Sequence, residues 1–352
     1  MDTLIRNAPI KKASVPEQKN IKILIIRLSS IGDIVLTTPV IRCVKKQVTN
    51  AEVHYLTKYG FRAILKNNPY VDKVHLLDEN LEQVITSLKK ENFDYVIDLH
   101  HNLRTLKVKR ALNKARSFSF NKLNVQKWLL TAFKINIMPR VHIVDRYLDT
   151  VKSLGVENDG KGLDYFIPEK DSIPDGDIPA AHSLGFIAVV IGAALNTKKL
   201  PILKLQQLCD EIQHPIILLG GPEDRADGEE IASIDPVKIY NSCGKFNLNE
   251  SADLVRRSKL VITHDTGLMH IAAAFKKPVI SIWGNTVPAF GMTPYYGAVS
   301  QLNDIMEVHG LSCRPCSKIG YNKCPRGHFK CMNTQNIENI ASFAMLRIKP
   351  GK

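Results

Sequence analysis

The chain has 352 residues, of which 44% are hydrophobic and 23% are charged. This composition is typical of a soluble globular protein with two domains, and it excludes a largely disordered chain. No apolar run approaches the ~20 residues that a membrane-spanning helix needs. The polar stretch 1–20 lacks the apolar centre of a signal peptide, so we expect a cytoplasmic protein.

The chain carries a formal net charge of +14, from 48 Lys and Arg against 34 Asp and Glu. An excess of this size favours an anionic partner: nucleic acid, an anionic membrane surface or an acidic substrate. The densest basic stretch runs from Arg104 to Arg116. The sequence contains no RNP, zinc-finger or helix-turn-helix pattern, so we do not expect nucleic acid to be the partner.

The first half of the chain alternates short β-branched runs with amphipathic stretches. A helix is predicted over 34–48, after the first strand. The predicted strands of this half are 21–26, 53–57, 71–77 and 95–99. A segment rich in proline and aspartate follows, and residues 171–184 are the best candidate for a linker.

The same alternation resumes beyond the linker. Strands are predicted at 185–192, 215–220, 260–263 and 279–283, and helices at 202–212, 223–232, 267–275 and 335–348. Alternating strands and helices predict an α/β fold with two parallel sheets that face a central cleft. The predicted divisions are a polar extension (1–20), a Rossmann-like domain (21–170), the linker, a second Rossmann-like domain (185–335) and a C-terminal helix and tail (336–352).

The most informative motif is the polar corner between the predicted strand 260–263 and the helix that follows. Asp265 ends the strand, Thr266 and Gly267 open the helix, and His270 lies one turn further on the same face. Free N–H groups at a helix start, with a glycine that permits close approach, form an anion site suited to a phosphate or pyrophosphate. The alternative is an ordinary helix cap with a packed histidine.

A second corner follows the first strand. Ser30, Gly32 and Asp33 lie at the carboxyl end of that strand, where open α/β sheets bind polar ligands. The segment matches neither the dinucleotide fingerprint nor a Walker loop. Asp33 has two interpretations, since it could cap the next helix or act as a general base facing the cleft.

Three further strand ends carry polar residues. Lys198 and Lys199 precede a proline that opens a helix, and either lysine could neutralise a phosphate or form a surface pair. Glu223 lies in the first turn of a predicted helix, where a carboxylate suits the helix dipole or the hydroxyls of a ribose. His100 and Arg104 follow the strand 95–99 and could line the acceptor side of the cleft.

Four cysteines cluster near the C-terminus: Cys313, Cys316, Cys324 and Cys331. A CxxC pair followed by two more cysteines could hold zinc, but the second half lacks the knuckle spacing. Reduced and packed cysteines are the favoured interpretation, because disulfides are unusual in the cytosol. We therefore predict no metal site, with zinc at the four cysteines left open.

Taken together, these motifs resemble glycosyltransferase family nine, the bacterial lipopolysaccharide heptosyltransferases, over residues 21–332. The segments that carry the likeness are 25–33, 37–39, Asp98 with Arg104, Lys198 with 200–201, 220–223, 265–270, 283–286 and 316–332. The resemblance implies a GT-B fold, in which the first domain binds the acceptor and the second binds the nucleotide sugar. It also implies an ADP-heptose donor and an anionic, lipid-linked core oligosaccharide as acceptor, with peripheral contact to the inner membrane surface.

Carried onto this chain, the resemblance makes Asp33 the base of an inverting transfer that requires no cofactor. The expected donor-binding residues are Lys198, Glu223, Asp265, Thr266, Gly267, Leu268 and His270, and the expected acceptor-binding residues are Ser30, Gly32, His100 and Arg104. Leu200 stands where the family often has Trp, so Lys199 remains an alternative to Lys198. Two other functions stay open: transfer from a different nucleotide sugar, and non-catalytic binding of a nucleotide sugar or polyanion.

Overall fold

In the computed structural model, which describes residues 19–299 and 302–349, the chain forms two all-parallel sheets. Nearly all of the predicted extension 1–20 lies outside the described residues. The first sheet has five strands in the order β3-β2-β1-β4-β5 and the second has six in the order β11-β10-β9-β6-β7-β8. The strands are β1 Ile21–Ile26, β2 Ala51–Lys58, β3 Lys73–Leu77, β4 Tyr95–Asp98, β5 Arg116–Ser119, β6 Ile187–Val190, β7 Ile216–Leu219, β8 Ile239–Asn241, β9 Leu260–His264, β10 Val279–Trp283 and β11 Asn303–Glu307.

Helices cover both sheets, and short 3₁₀ turns connect several of them. The α-helices are α1 Ile31–Val35, α2 Thr38–Gln47, α3 Arg62–Leu65, α4 Leu81–Lys90, α5 Leu103–Ala111, α6 Asn124–Phe133, α7 Ile143–Leu148, α8 Ile202–Glu211, α9 Arg225–Ala232, α10 Leu248–Arg257, α11 Gly267–Ala274, α12 Lys330–Asn333 and α13 Ile337–Ile348. Within the described ranges, none of these helices combines the length and apolarity that crossing a bilayer requires.

All eight predicted strands are present, but three strands were not predicted. The missed strands β5, β8 and β11 each lie at the edge of a sheet. A central strand of a parallel sheet is covered on both faces and therefore reads as a continuous apolar run. An edge strand such as β5 needs no such run, and most of its residues are exposed.

The single helix predicted over 34–48 is wrong, because two helices, α1 and α2, occupy this segment. Pro39, at the second position of α2, has no N–H to continue the ladder of α1. The hydroxyl groups of Thr37 and Thr38 instead donate to the carbonyl oxygens of Ile34 and Val35, both at 2.7 Å. The two carbonyl groups at the break are therefore hydrogen-bonded, and α1 remains one short turn at the end of β1.

The predicted linker region contains three 3₁₀ turns that run along the second half of the chain. Ile173 is buried; its N–H donates to Asp253 at 3.0 Å, and its carbonyl accepts from Arg257 at 2.8 Å. The last strand of the first sheet ends at residue 119 and the second sheet begins at residue 187. The exact domain boundaries stay a prediction.

The strand orders place a ligand crevice in each sheet. In the first sheet successive strands are added outward on opposite sides of the neighbours β1 and β4, and in the second on opposite sides of β6 and β9, although all strands are parallel. Parallel α/β sheets bind ligands at the carboxyl ends of strands beside such a switch point. The polar corners after β1, β4 and β9 all lie at these two positions.

Candidate active site

The corner after β1 and the corner after β9 touch each other, although they belong to different sheets. A Cβ atom built on Gly32 would lie 2.5 Å from Cδ2 of His270, and one built on Gly267 would lie 2.7 Å from Cγ2 of Ile31. Both glycines therefore stand where a side chain would push the two helix starts apart. The predicted acceptor corner and the predicted donor corner share one cleft.

Asp33 lies in this cleft, in the first turn of α1. One carboxylate oxygen pairs with Arg27 at 2.7 Å, and the other accepts from the hydroxyl of Ser30 at 2.8 Å and from its backbone N–H at 3.2 Å. Burial raises the pKa of Asp33, but the charge of Arg27 and the bonds from Ser30 outweigh it, so the pKa ends below its usual value. The carboxylate is therefore ionised at neutral pH and held by two neighbours.

Arg27 holds this arrangement together, although no role was predicted for it from the sequence. Its guanidinium is buried and also donates to the carbonyls of Ser29 and Leu99, both at 2.7 Å, and to the hydroxyl of Tyr147 at 3.0 Å. Arg27 thus fixes the end of β1 against the end of β4. A charged residue directly after a buried strand is the signal that could have identified it.

On the donor side, Lys198 reaches the corner of β9 and Lys199 does not. The ammonium of Lys198 contacts the carboxylate of Asp265 at 2.7 Å and its carbonyl oxygen at 3.3 Å. Thr286, which follows β10, donates to the same carboxylate at 3.0 Å. Lys199 pairs instead with the buried Asp224 at 2.5 Å, so Lys198 is the lysine at the predicted anion site.

Two histidines at this corner are buried and neutral. Burial lowers the pKa of His270 to about 4 and that of His264 to about 3. His264 has a structural role, because its Nε2 accepts the N–H of Leu200 at 2.9 Å. The Nδ1 atoms of His264 and His270 both lack a hydrogen-bond partner among the described residues, and His270 is the ring that borders Gly32.

The remaining donor residues of the prediction surround the same helix start. Thr266 is the N-cap residue of α11, and its hydroxyl lies 3.2 Å from that of Thr263. Gly267 and Leu268 form the first turn of α11 and are half-buried. Glu223 is exposed at the corner after β7, where its carboxylate folds back over Gly221.

The acceptor residues of the prediction are divided between cleft and surface. His100 is half-buried beside Arg27; burial and that charge lower its pKa to about 4, and its Nδ1 finds no partner in the described chain. Arg104 lies exposed on the second position of α5. Asp98 pairs with Lys109 at 3.1 Å and accepts from Thr105 at 2.8 Å, so it holds the turn rather than a ligand.

Further basic residues near Asp33 were missed. Arg146 is buried, and its Nε and Nη1 have no hydrogen-bond partner within the described residues. Burial, reinforced by the charge of Arg146, lowers the pKa of Lys127 to about 8, and Asp33 acts in the opposite direction. Burial and the charge of Arg27 likewise lower the pKa of Lys122. These cations come from α6, α7 and the loop before α6. Because they do not form a local sequence motif, they could not be predicted from one.

Arg314, between the first two clustered cysteines, organises the corner after β10. It donates to the carbonyls of Gly284 at 2.5 Å and Thr286 at 3.0 Å, and it pairs with Glu307 at 2.6 Å. Thr286 in turn holds Asp265. The segment that the sequence marked for its cysteines therefore contacts the candidate site through an arginine.

The four clustered cysteines are free thiols; three precede α12, and Cys331 lies within it. Burial raises the pKa of Cys331 to about 11, and the nearby thiols of Cys316, Cys324 and Cys313 act in the same direction. Cys313 also lies 3.9 Å from Nε2 of His328. Zinc at these residues stays an open alternative.

A different trio has potential metal ligands within 4.8 Å of one another: His54, His75 and Glu91. These atoms already have partners, because Nδ1 of His54 faces Nε2 of His75 at 2.9 Å and Glu91 pairs with Lys73 at 2.5 Å. We therefore interpret the trio as a hydrogen-bonded core cluster.

Two Rossmann-like sheets with facing switch points, a carboxylate on one side and the predicted anion-binding helix start on the other, form the arrangement expected of a GT-B transferase. The profile described as glycosyltransferase family 9 (heptosyltransferase) matches residues 81–323. The chain therefore belongs to glycosyltransferase family 9 and is a glycosyltransferase, which confirms the resemblance identified from its motifs.

Curated relatives agree with this assignment, and solved structures share the fold. Lipopolysaccharide heptosyltransferase 1 of Campylobacter coli is 29% identical over 289 residues, which cover 75% of this chain and 84% of the relative. Lipooligosaccharide heptosyltransferase 2 of Haemophilus influenzae is 25% identical, with coverage of 85% and 92%. A family 9 glycosyltransferase from Veillonella parvula superposes with a TM-score of 0.74 at 21% identity, covering 95% of this chain and 99% of that one. E. coli heptosyltransferase WaaC with ADP gives a TM-score of 0.66 at 19% identity, with coverage of 93% and 100%.

Proposed function

We propose that the protein transfers a heptose from ADP-heptose to an anionic, lipid-linked acceptor of the lipopolysaccharide inner core, with inversion at the anomeric carbon. The observation that carries the proposal is the contact between the Gly32 corner and the His270 corner. The contact supports the proposal because it brings the carboxylate of Asp33 and the start of α11 to one cleft. The names of the heptosyltransferase relatives support the sugar and the acceptor class.

On the donor side, the diphosphate would bind at the start of α11. The backbone N–H groups of Gly267 and Leu268, together with His270, offer donors there, and Lys198 contributes a positive charge 2.7 Å from Asp265. Asp265 would contact the sugar, and Glu223 the ribose. These groups stabilise the leaving ADP electrostatically, so the proposal includes no metal and no organic cofactor.

On the acceptor side, Ser30, Gly32 and His100 would border the attacking sugar, with Arg104 further out. The buried and incompletely bonded guanidinium of Arg146 supports an acceptor that carries a negative charge. Peripheral contact with the inner membrane surface follows from the lipid anchor of such an acceptor. This contact would keep the enzyme on the cytoplasmic side.

The reaction is a single displacement. The acceptor hydroxyl attacks the anomeric carbon from the face opposite the diphosphate, the new C–O bond forms as the bond to ADP breaks, and the hydroxyl proton passes to Asp33. A carboxylate with a lowered pKa is a weak base toward an alcohol. It therefore accepts the proton late, after bond formation has made the hydroxyl acidic.

The test is Asp33→Asn, which keeps the shape of the side chain and removes its charge. We expect kcat to fall about 10²–10⁴-fold, the usual contribution of a general base, while the affinity for ADP is retained. Calorimetry measures the ADP affinity, and turnover is followed with ADP-heptose and a deacylated, water-soluble acceptor. Normal turnover by Asp33→Asn would show that the base is assigned wrongly.

A second measurement separates the alternatives for the donor. We expect the protein to prefer ADP over UDP and GDP, and His270→Ala to weaken ADP binding. A preference for UDP would favour a transferase with another nucleotide sugar. Absence of nucleotide binding and of turnover would favour a polyanion-binding protein.

A further inference from the structure

The segment 99–144 concentrates the positive charge of the chain. It contains ten Lys and Arg residues and no Asp or Glu, whereas the whole protein has a net charge of +14. Most of the net charge therefore lies in one stretch, which runs from the end of β4 to the start of α7. A surface of this kind attracts an anionic partner over the range of a Debye length.

The same segment exposes large apolar side chains. Val125 is 66% exposed, Trp128 52% and Phe133 58%, and the rings of Trp128 and Phe133 meet edge to face with centroids 5.1 Å apart. Val125 and Trp128 are three residues apart on α6 and share one face of it. Ile135 and Ile137 continue the exposed apolar strip beyond the helix. We call residues 125–137 the apolar strip.

The apolar strip lies next to the candidate active site. Lys127 belongs to the same helix and interacts electrostatically with Asp33 and Arg146, so one side of α6 faces the cleft. Lys134, directly after the helix, donates to the carbonyl of Pro315 at 2.7 Å. An open pocket of about 580 Å³ extends from His101 and Lys122 to Val125, and it joins the strip to polar residues.

We propose that the segment 99–144 is a docking surface for an anionic phospholipid bilayer, with the apolar strip inserted among the headgroups. Lysine and arginine provide long-range attraction, and aromatic and aliphatic side chains provide the shallow insertion typical of interfacial helices. This inference rests on the proposed function, because a lipid-linked acceptor has to reach Asp33 from a membrane. When the protein is docked through the apolar strip, the cleft beside α6 would open at the bilayer surface.

The two tryptophans provide a direct test. Trp283 is only 1% exposed, so Trp128 is the tryptophan whose environment a bilayer would change. With the full chain and phosphatidylcholine vesicles containing phosphatidylglycerol, we expect a blue shift of the emission and quenching by brominated lipid. Trp128→Phe should abolish both signals. No change in emission, with no co-sedimentation of the protein, would overturn the proposal.

Matched variants test the two contributions separately. Trp128→Ser combined with Phe133→Ser should weaken vesicle binding about tenfold or more, because two large apolar groups leave the interface. The control, Leu203→Ser combined with Val237→Ser, changes exposed apolar residues elsewhere and should bind like the parent. Lys107→Gln with Arg110→Gln should weaken binding more than Lys89→Gln with Lys90→Gln, although the change in net charge is the same.

The same variants distinguish a failure of docking from a failure of the proposed function. Turnover on the water-soluble acceptor needs no membrane, so Trp128→Ser with Phe133→Ser should leave it unchanged while lowering turnover on vesicle-bound acceptor. Equal binding of all variants to vesicles would overturn the docking surface and leave the enzymatic proposal intact. Light scattering tests the remaining alternative. If the parent protein is a dimer that does not bind vesicles, and this double variant is a monomer, the apolar strip is a contact between two copies.

Discussion

At the scale of single residues, the candidate base depends on a neighbour. Asp33 is held by Arg27 and Ser30, so its ionisation is a property of the corner after β1 rather than of the carboxyl alone. Sequence reasoning identified Asp33 and Ser30 because they lie at a strand end. It gave no role to Arg27, since the bonds from Arg27 to Leu99 and Tyr147 span 72 and 120 residues.

The first residue-scale prediction concerns Arg27→Gln. The folded pKa of Asp33 lies below its usual value, because Arg27 and Ser30 offset the effect of burial. Loss of the guanidinium removes the largest effect that offsets burial, so the pKa of Asp33 rises. A larger fraction of Asp33 is then protonated at a given pH. The acidic limb of the kcat/KM profile should therefore move to higher pH. Arg27→Lys, which keeps the charge, should move it less, and an unchanged limb in Arg27→Gln would contradict the role of Asp33 as base.

At the scale of elements, the site depends on two helix starts that touch. α1 and α11 approach closely because Gly32 and Gly267 have no side chains at the contact. The sequence predicted each corner, since each combines a buried strand with polar residues and a glycine. It did not predict their contact, because the two corners lie in different sheets and no local pattern encodes the approach of one sheet to another.

The element-scale prediction is Gly32→Ala. The added methyl group would lie 2.5 Å from Cδ2 of His270, so either the ring or the helix start has to move. Overpacking of this kind costs about 1–3 kcal/mol of stability. Because the displaced groups border the cleft, we also expect kcat/KM to fall by up to about a hundredfold. Gly60→Ala is the control, because a Cβ there meets no atom within 4 Å. Equal activity of the two variants would show that the contact is not needed for turnover.

At the scale of the whole molecule, the sequence was informative where burial is continuous. Central strands such as β1 and β9 are buried along most of their length and were predicted, whereas the exposed edge strand β5 was missed. The cleft cations Lys127 and Arg146 were missed for a related reason. Helices and turns that are distant in sequence bring them together, and only the packing of the chain shows that Arg146 is buried without full hydrogen bonding.

The whole-molecule prediction concerns how the two halves are held together. Arg42 on α2 is buried and pairs with Asp159 at 2.8 Å and with Asp164, and it donates to the carbonyl of Gly162 at 2.8 Å. The backbone of this segment also bonds to the second half, since Ala298 donates to the carbonyl of Gly160 at 2.7 Å. The segment 159–164 therefore bridges the two halves, since it binds Arg42 of the first half and bonds to Ala298 of the second.

Comparing Arg42→Met with the loss of an exposed arginine tests whether this connection, rather than the net charge, stabilises the protein. Removal of one partner of a buried ion pair leaves uncompensated carboxylates and costs about 3–5 kcal/mol, so the urea midpoint should fall substantially. The exposed Arg225→Met removes the same charge and should change stability by less than about 0.5 kcal/mol. Because Asp33 and the start of α11 must face each other, we expect Arg42→Met to lose turnover at urea concentrations where the circular dichroism signal of the protein is still native. A parallel loss of both signals would show that the halves unfold as one unit and that Arg42 stabilises the molecule without setting the cleft.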